Sequence, residues 1–178
     1  VEELCSLIIG KGIKKRFRCS TRADRLTPEI AKLLKQTGFV EVCVGVESGS
    51  DYILKILNKK TTSETNTKAR KICSNVGLKF KAYIMLGSPG ESLQTISETE
   101  SWLQNNRPDS VGLYMFSPLP GSKIWDNKNT YDIDFSKSDI DHAYYGGRRE
   151  EMISRVSTTA LSKQQITNSY WNMLRQWG

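Results

Sequence analysis

The residues most able to do chemistry in this chain gather just after four apolar, β-prone runs. They are Ser20-Thr21-Arg22-Ala23-Asp24, Gly45-Val46-Glu47-Ser48-Gly49, Leu86-Gly87-Ser88-Pro89-Gly90-Glu91 and Ser117-Pro118-Leu119-Pro120-Gly121. Glu47-Ser48-Gly49 offers a carboxylate and a hydroxyl beside a glycine that permits close backbone approach. Such groups suit a ribose diol or an amino-acid ammonium group. Arg22 would face the same cleft if the two strands were adjacent and parallel. A structural alternative stays open at this level: Glu47 pairs with Arg22 or Lys59 and neutralises the mouth of a barrel. Gly87 to Glu91 lacks the lysine and the spacing of a Walker loop. Its glycines fit either backbone approach to a ligand or a tight βα turn. Pro118 to Gly121 reads as a rigid turn.

These segments need a scaffold, and the intervening sequence supplies one. Residues 2 to 10 have the pattern of a helix ending at Gly10 or Gly12. Arg16 to Thr21 alternates, with Phe17, Cys19 and Thr21 on one face and Arg16, Arg18 and Ser20 on the other. Thr27-Pro28-Glu29 opens a helix that stops at Gly38. Val40 to Val46 is a nearly continuous apolar strand, as for a strand covered on both faces. Ser50 is placed to cap a short helix, and a second helix runs from about Thr62 or Ser63 to Val76 and ends at Gly77. Leu78 to Leu86 is a strand, Leu93 to Leu103 a helix ending before Pro108, and Val111 to Phe116 a strand. Strand and helix alternate, which argues for βα units, a parallel sheet and an α/β fold. Carboxyl ends of parallel strands line the ligand site, so the four exits belong on one rim.

Beyond Gly121 the pattern changes. Residues 126 to 147 are polar and loop-like and include Tyr144, Tyr145, Gly146 and Gly147. Ser162-Lys163-Gln164-Gln165 reads as a capping box opening a helix with Ile166, Tyr170, Leu174 and Trp177 at helical spacing. The division expected is a barrel-like part over 1–125 and a loop and helical extension over 126–178.

Composition narrows the class. At 178 residues, 38% hydrophobic and 25% charged, the chain is long and apolar enough for one cored domain, or one domain with an appendage. It has no apolar run long enough for a bilayer and no signal-peptide pattern, so a cytoplasmic location without a membrane partner is expected. The net charge of +7 comes largely from Lys11, Lys14, Lys15, Arg16 and Arg18 and from Lys55 to Lys71. No aromatic residues interleave with these cations as a base-stacking platform would require, so they read first as solvated faces, with nucleic acid second. Cys5, Cys19, Cys43 and Cys73 are scattered, without C-x-x-C, and read as reduced and buried. His142 has no partner in sequence and is given no role.

In order, Arg22-Ala23-Asp24, Gly45 to Asp51, Leu54-Lys55-Ile56-Leu57-Asn58-Lys59, Gly87 to Glu91 and Pro118 to Gly121 resemble the second half of a radical S-adenosylmethionine (SAM) domain. The resemblance covers about residues 1 to 125 and points to the branch of cobalamin-associated methyltransferases and cyclase-like proteins, together with methylthiotransferases. It implies strands three to six of a (β/α)₆ partial TIM-like barrel. It also implies SAM lying across the strand ends on a [4Fe–4S] cluster, with cobalamin as a further cofactor. Carried over, Ser20 and Arg22 lie at the third strand and Glu47 and Ser48 at the fourth. Lys59 reaches the SAM carboxylate or ribose, Tyr83 lies in the fifth strand and Gly87 in the turn after it. Phe116, Ser117 and Pro118 border the adenine. Ser88 departs from the commoner leucine.

The larger departure is the absence of the family's C-x-x-x-C-x-x-C segment. Four scattered cysteines do not present three thiolates together. The chain is therefore expected to be an internal piece of a longer enzyme, without catalytic or metal-ligating residues of its own and inactive alone. The implied parent cleaves SAM reductively to a 5′-deoxyadenosyl radical for methyl transfer, cyclisation or related C–H chemistry on a small-molecule substrate. The chain's expected partners are the missing N-terminal half-barrel and a second copy meeting an exposed sheet edge, unless the C-terminal helix covers it. Two rival readings remain at this level: a basic RNA-binding segment, and an ordinary βα enzyme using Glu47 and Lys59 as acid and base.

Overall fold

Helix boundaries follow from local chemistry. In the computed structural model, which describes residues 1–136 and 152–178, the chain begins with α1 (Glu2–Gly10) and β1 (Phe17–Thr21). Then come α2 (Pro28–Thr37), β2 (Phe39–Glu47), α3 (Asp51–Ile56), α4 (Ser63–Asn75), β3 (Lys79–Leu86), α5 (Leu93–Asn106) and β4 (Ser110–Met115). A short α6 (Lys123–Asp126) and a long α7 (Lys163–Trp177) complete the order, with 3₁₀ turns at Ala23–Arg25 and Lys128–Thr130.

Thr27 accepts a hydrogen bond from the Ile30 amide at 3.2 Å, and Gly38 closes α2 in the left-handed region. Thr62 caps α4 in the same way. Ser92 with Thr95, and Ser162 with Gln165, form reciprocal capping boxes. Ser50 occupies the N-cap position of α3, but its hydroxyl makes no cap bond and is buried without a partner among the described residues. Its amide is instead held by Ser48 Oγ at 3.1 Å. Asp51 turns outward to accept from the Ser63 amide at 2.7 Å, which ties α3 to the start of α4.

The four strands are parallel and lie in sequence order. Their side chains alternate as a pleated sheet requires. Val42, Val44, Val46, Phe80, Ala82, Ile84 and Leu86 are buried with Ala31, Leu34, Ala69, Cys73 and Leu103 from the covering helices. The other face is polar and aromatic. Arg18 pairs there with Glu41, and Tyr83 meets Tyr114 edge-on at 5.6 Å. Parallel pairing with helical crossovers on one face is the geometry of a βα barrel wall.

The C-terminal segment joins the same core. Asp134 and Ser157 form an antiparallel bridge, while Ile133, Phe135, Val156 and Leu161 are buried beside Ile166, Tyr170 and Met173 of α7. The stretch expected as a polar loop therefore contains core residues, Ile133 and Phe135 being apolar positions within that run. His142 and Tyr144 to Gly147 lie outside the described residues.

Gly49 shows how closely α5 approaches the end of β2. A Cβ there would sit 2.7 Å from Thr99 Cα and 2.7 Å from Trp102 Cβ. Backbone cannot move aside cheaply in a packed interior. Gly49→Ala is expected to lower the unfolding free energy by about 2 kcal/mol, checked by urea denaturation of both proteins; unchanged stability would show that the contact is loose.

Candidate functional site

All four exits lie at the carboxyl end of the sheet, and the ends of β1 and β2 are linked by side chains. The Arg22 guanidinium makes two 2.9 Å bonds to the Asp24 carboxylate and a third, at 3.0 Å, to the Lys59 carbonyl. Hydrogen bonding to Arg22 holds the Asp24 carboxyl below the usual range, and Asp24 raises Arg22 in turn. The β1 exit is thus clamped to the turn that follows α3. Ser20 is exposed on the open face of β1.

The end of β2 is irregular. Gly45 pairs with Tyr83 and Glu47 with Ile84, so Val46 is an extra residue in the ladder. The Ser48 amide donates to the Val46 carbonyl at 2.8 Å, closing a γ-turn with Glu47 at its centre and a φ of 64°. A γ-turn with positive φ is a strained conformation for a non-glycine residue. The bend sends the Glu47 side chain back over Gly45, where its carboxylate meets Lys59 Nζ at 2.7 Å. A Cβ on Gly45 would lie 2.6 Å from Glu47 Oε1 and 3.6 Å from Lys59 Nζ, so glycine keeps that space open for the ion pair. Glu47 and Lys59 are both half-buried.

Tyr83 flanks this pair through its register with Gly45. The neighbouring Cys43 thiol, then partial burial, raise the Tyr83 phenol. Lys81 lies 5.5 Å from the centre of the Tyr83 ring, and the ring packs over Gly112 of β4.

Ser48 faces inward. It is fully buried, its hydroxyl 3.0 Å from that of Thr99, and Thr99 also accepts from the Gly49 amide at 3.0 Å. Ser48 therefore anchors the turn to α5. Asn66 adds a bond to the Val46 carbonyl from α4. Thr99 and Asn66 were not legible as site-supporting residues, since each is one polar residue within an amphipathic helix.

The β3 exit is also turned inward. Gly87 has a φ of 87°, and its amide donates to the Glu91 carboxylate. A Cβ on Gly87 would lie 3.2 Å from both Ile166 and Val156, so the C-terminal segment covers the turn. Thr158 fastens that cover by donating to the Glu91 carbonyl at 2.8 Å. At the β4 exit, Phe116 and Pro118 are buried, Phe116 within the core, while Ser117 is half-buried. The structure thus brings Arg22, Glu47, Lys59 and Tyr83 together and turns Ser48, Gly87 and Phe116 into supports.

Glu91 is fully buried, and its Oε1 has no partner among the described residues. Burial pushes its carboxyl up to about 7, against the lowering effect of the Gly87 and Ser88 amides. The folded state then holds a proton that the unfolded chain releases near 4.5. Its contribution to stability is complete below the unfolded value and is lost as pH rises through about 7, by roughly 3 kcal/mol in all. The stability difference between the unsubstituted chain and Glu91→Gln, measured by urea denaturation from acid to neutral pH, is expected to shift in favour of Gln as pH rises. A pH-independent difference would place the Glu91 titration elsewhere.

Comparison with known proteins supplies the remaining finding. Residues 1–103 match the model of the Radical SAM superfamily. Over 126 residues the chain is 29% identical to the anaerobic magnesium-protoporphyrin IX monomethyl ester cyclase of Rubrivivax gelatinosus, covering 70% of this chain and 22% of that protein. The fold resembles the radical SAM methyltransferase TsrM of Kitasatospora setae, solved with cobalamin and a [4Fe–4S] cluster, with a TM-score of 0.59 at 17% identity. That match covers 66% of this chain and 25% of TsrM. Coproporphyrinogen III oxidase of Escherichia coli matches 98% of this chain with 35% of its own, at a TM-score of 0.66 and 12% identity. The chain spans about a fifth of the length of the cyclase. Among the described residues no group of three His, Cys, Asp or Glu side chains is placed to hold a metal, and no helix is long and apolar enough to cross a membrane. The parallel strands, their exits and the family match over more than half of the sequence place this chain in the radical SAM superfamily.

Proposed function

We propose that the rim formed by Arg22, Glu47, Lys59 and Tyr83 is part of a SAM site, within a longer enzyme that acts on a C–H bond of a small molecule. The observation that carries this reading is the Glu47–Lys59 ion pair, folded over Gly45 and only half-buried. An amino-acid end group carries an ammonium and a carboxylate, and this pair offers one charge of each sign. Glu47 would accept from the ammonium and Lys59 would donate to the carboxylate, each as a charge-assisted bond. Tyr83 offers an aromatic wall, and Ser20 an exposed hydroxyl, toward the same face of the sheet. Arg22 acts by position: clamped to Asp24, it holds the Lys59 backbone. Ser117 is the residue of the β4 exit left to line an adenine edge, with Phe116 and Pro118 packed behind it.

A [4Fe–4S] cluster does not fit the cysteines of this chain. Iron–sulfur clusters are held by grouped thiolates, whereas Cys5, Cys43 and Cys73 are buried in separate elements and Cys19 lies within β1. Burial pushes the Cys73 thiol up to about 12, the reverse of what a thiolate ligand needs. Bound at the rim, SAM would supply the reactive carbon group of the parent's chemistry, and this chain's share is to hold and orient it.

Equilibrium dialysis with labelled SAM tests the proposal. Glu47→Gln removes a charge while keeping the shape. Loss of one charge-assisted hydrogen bond is worth about 1.5–3 kcal/mol, so affinity should fall by roughly ten- to a hundredfold. Absence of SAM binding by the unsubstituted chain, or equal affinity in Glu47→Gln, contradicts the assignment.

A further inference from the structure

The opposite end of the sheet carries a different signal. The turns that lead into the strands, residues 11–16, 35–38, 76–79 and 106–109, hold Lys11, Lys14, Lys15, Arg16, Lys35, Lys79 and Arg107 against a single acid, Asp109. That acid is engaged by Arg70 at 3.7 Å. Strand pairing brings these turns side by side, since Phe17 pairs with Phe39, Glu41 with Lys79 and Lys81 with Ser110. Adjacent strands are about 4.8 Å apart, so the row of turns extends roughly 14 Å along one end of the sheet.

At the β1–β2 end of this row is a shallow cleft of about 600 Å³, lined by Lys14, Lys15 and Arg16 on one side and by Gln36 to Gly38 on the other. All three cations are exposed, and none has an acidic partner among the described residues. The loop that bears them is ordered by its backbone. The Gly12 and Ile13 amides donate to Ile9 and Ile8 at 2.9 and 3.1 Å, and the Phe17 amide donates to Gly38 at 3.1 Å. Gly38 is also needed for the fit, because a Cβ there would lie 2.6 Å from the Lys15 carbonyl oxygen. Lys35 pins the next turn by donating to the Gly77 carbonyl at 2.6 Å. Charges fixed on an ordered turn bind at a lower ordering cost than charges on a free tail.

We propose that this strand-start face, centred on Lys14, Lys15 and Arg16, docks the phosphate backbone of single-stranded nucleic acid. Rows of cations neutralise successive phosphates and release their counterions, and the cleft gives the strand a track. No aromatic residue lines the cleft, so bases are not stacked and sequence is not read. The face lies at the end of the sheet away from the Glu47 rim, so the two surfaces can be occupied independently.

Fluorescence anisotropy with labelled oligouridylate and oligothymidylate of about 20 nucleotides, over roughly 50 to 200 mM salt, provides the test. The expected result is equal binding of the two oligomers with a steep salt dependence. In the triple variant Lys14→Ala, Lys15→Ala, Arg16→Ala, affinity should fall at least about tenfold and the log–log salt slope should lessen by about 2, at roughly 0.7 per lost phosphate contact. A control triple, Lys55→Ala, Lys60→Ala, Lys123→Ala, removes the same charge from exposed positions elsewhere and should retain the slope. Equal loss in both triples, no binding by the unsubstituted chain, a strong preference for one sugar, or capture by phosphatidylserine vesicles in place of the oligomers would overturn the proposal. Circular dichroism of both triples confirms that these exposed changes leave the fold intact.

Discussion

At the end of β2 the backbone is forced through a γ-turn, and the candidate site depends on that turn. Regular extension would carry Glu47 onward along the strand. With Val46 as an extra residue and a φ of 64°, the Glu47 side chain instead doubles back over Gly45 to reach Lys59. Residues held in such conformations cost of order 1–3 kcal/mol and persist only where their surroundings over-determine them. Those surroundings are identifiable. Ser48 and Gly49 are bonded to Thr99 on α5, Asn66 on α4 holds the Val46 carbonyl, and α5 closes against a glycine that leaves no room for a side chain. Packing on the helix face thus stabilises strain on the open face.

The β3 exit solves a related problem by burial. Its turn is stapled by the Glu91 carboxylate and roofed by Val156 and Ile166, so the C-terminal segment completes the wall. Leaving a carboxyl oxygen without a partner inside that wall is costly in its charged form, and the group responds by holding its proton. The two ends of one sheet differ in charge. The strand ends carry a paired carboxylate and ammonium on strained or capped turns, and the strand starts carry cations that have no acidic partner among the described residues.

Much of this was legible in the sequence, for stated physical reasons. Capping residues and glycine stops at Thr27, Gly38, Gly77 and Ser162 fixed the helices, since each satisfies end groups that have no partner inside the helix. The alternation of βα units gave the parallel order, and the run of exit motifs gave the family. The pairing of Glu47 with Lys59, one of two readings open at the outset, is what the fold adopts. What was not legible depends on side-chain direction. Ser48 and Phe116 looked like ligand-facing residues, yet an inserted residue in β2 and the packing of β4 turn them inward. Ser50 sits at its cap position without capping, its hydroxyl buried without a partner among the described residues. The basic cleft was masked too, because charges close in sequence look alike whether they line a helix or a cleft.

A strained turn and the proposed ligand-holding role meet at Glu47, and one measurement addresses both. Thermal unfolding of the unsubstituted chain, Glu47→Gly and Glu47→Ala is recorded with and without SAM. Both variants lose the carboxylate, but only glycine accepts the positive φ without penalty, so Glu47→Gly should exceed Glu47→Ala in stability by about 1 kcal/mol. SAM should raise the transition of the unsubstituted chain and leave those of both variants in place. Equal stability of the two variants, together with the same SAM-induced shift in all three proteins, would contradict the account.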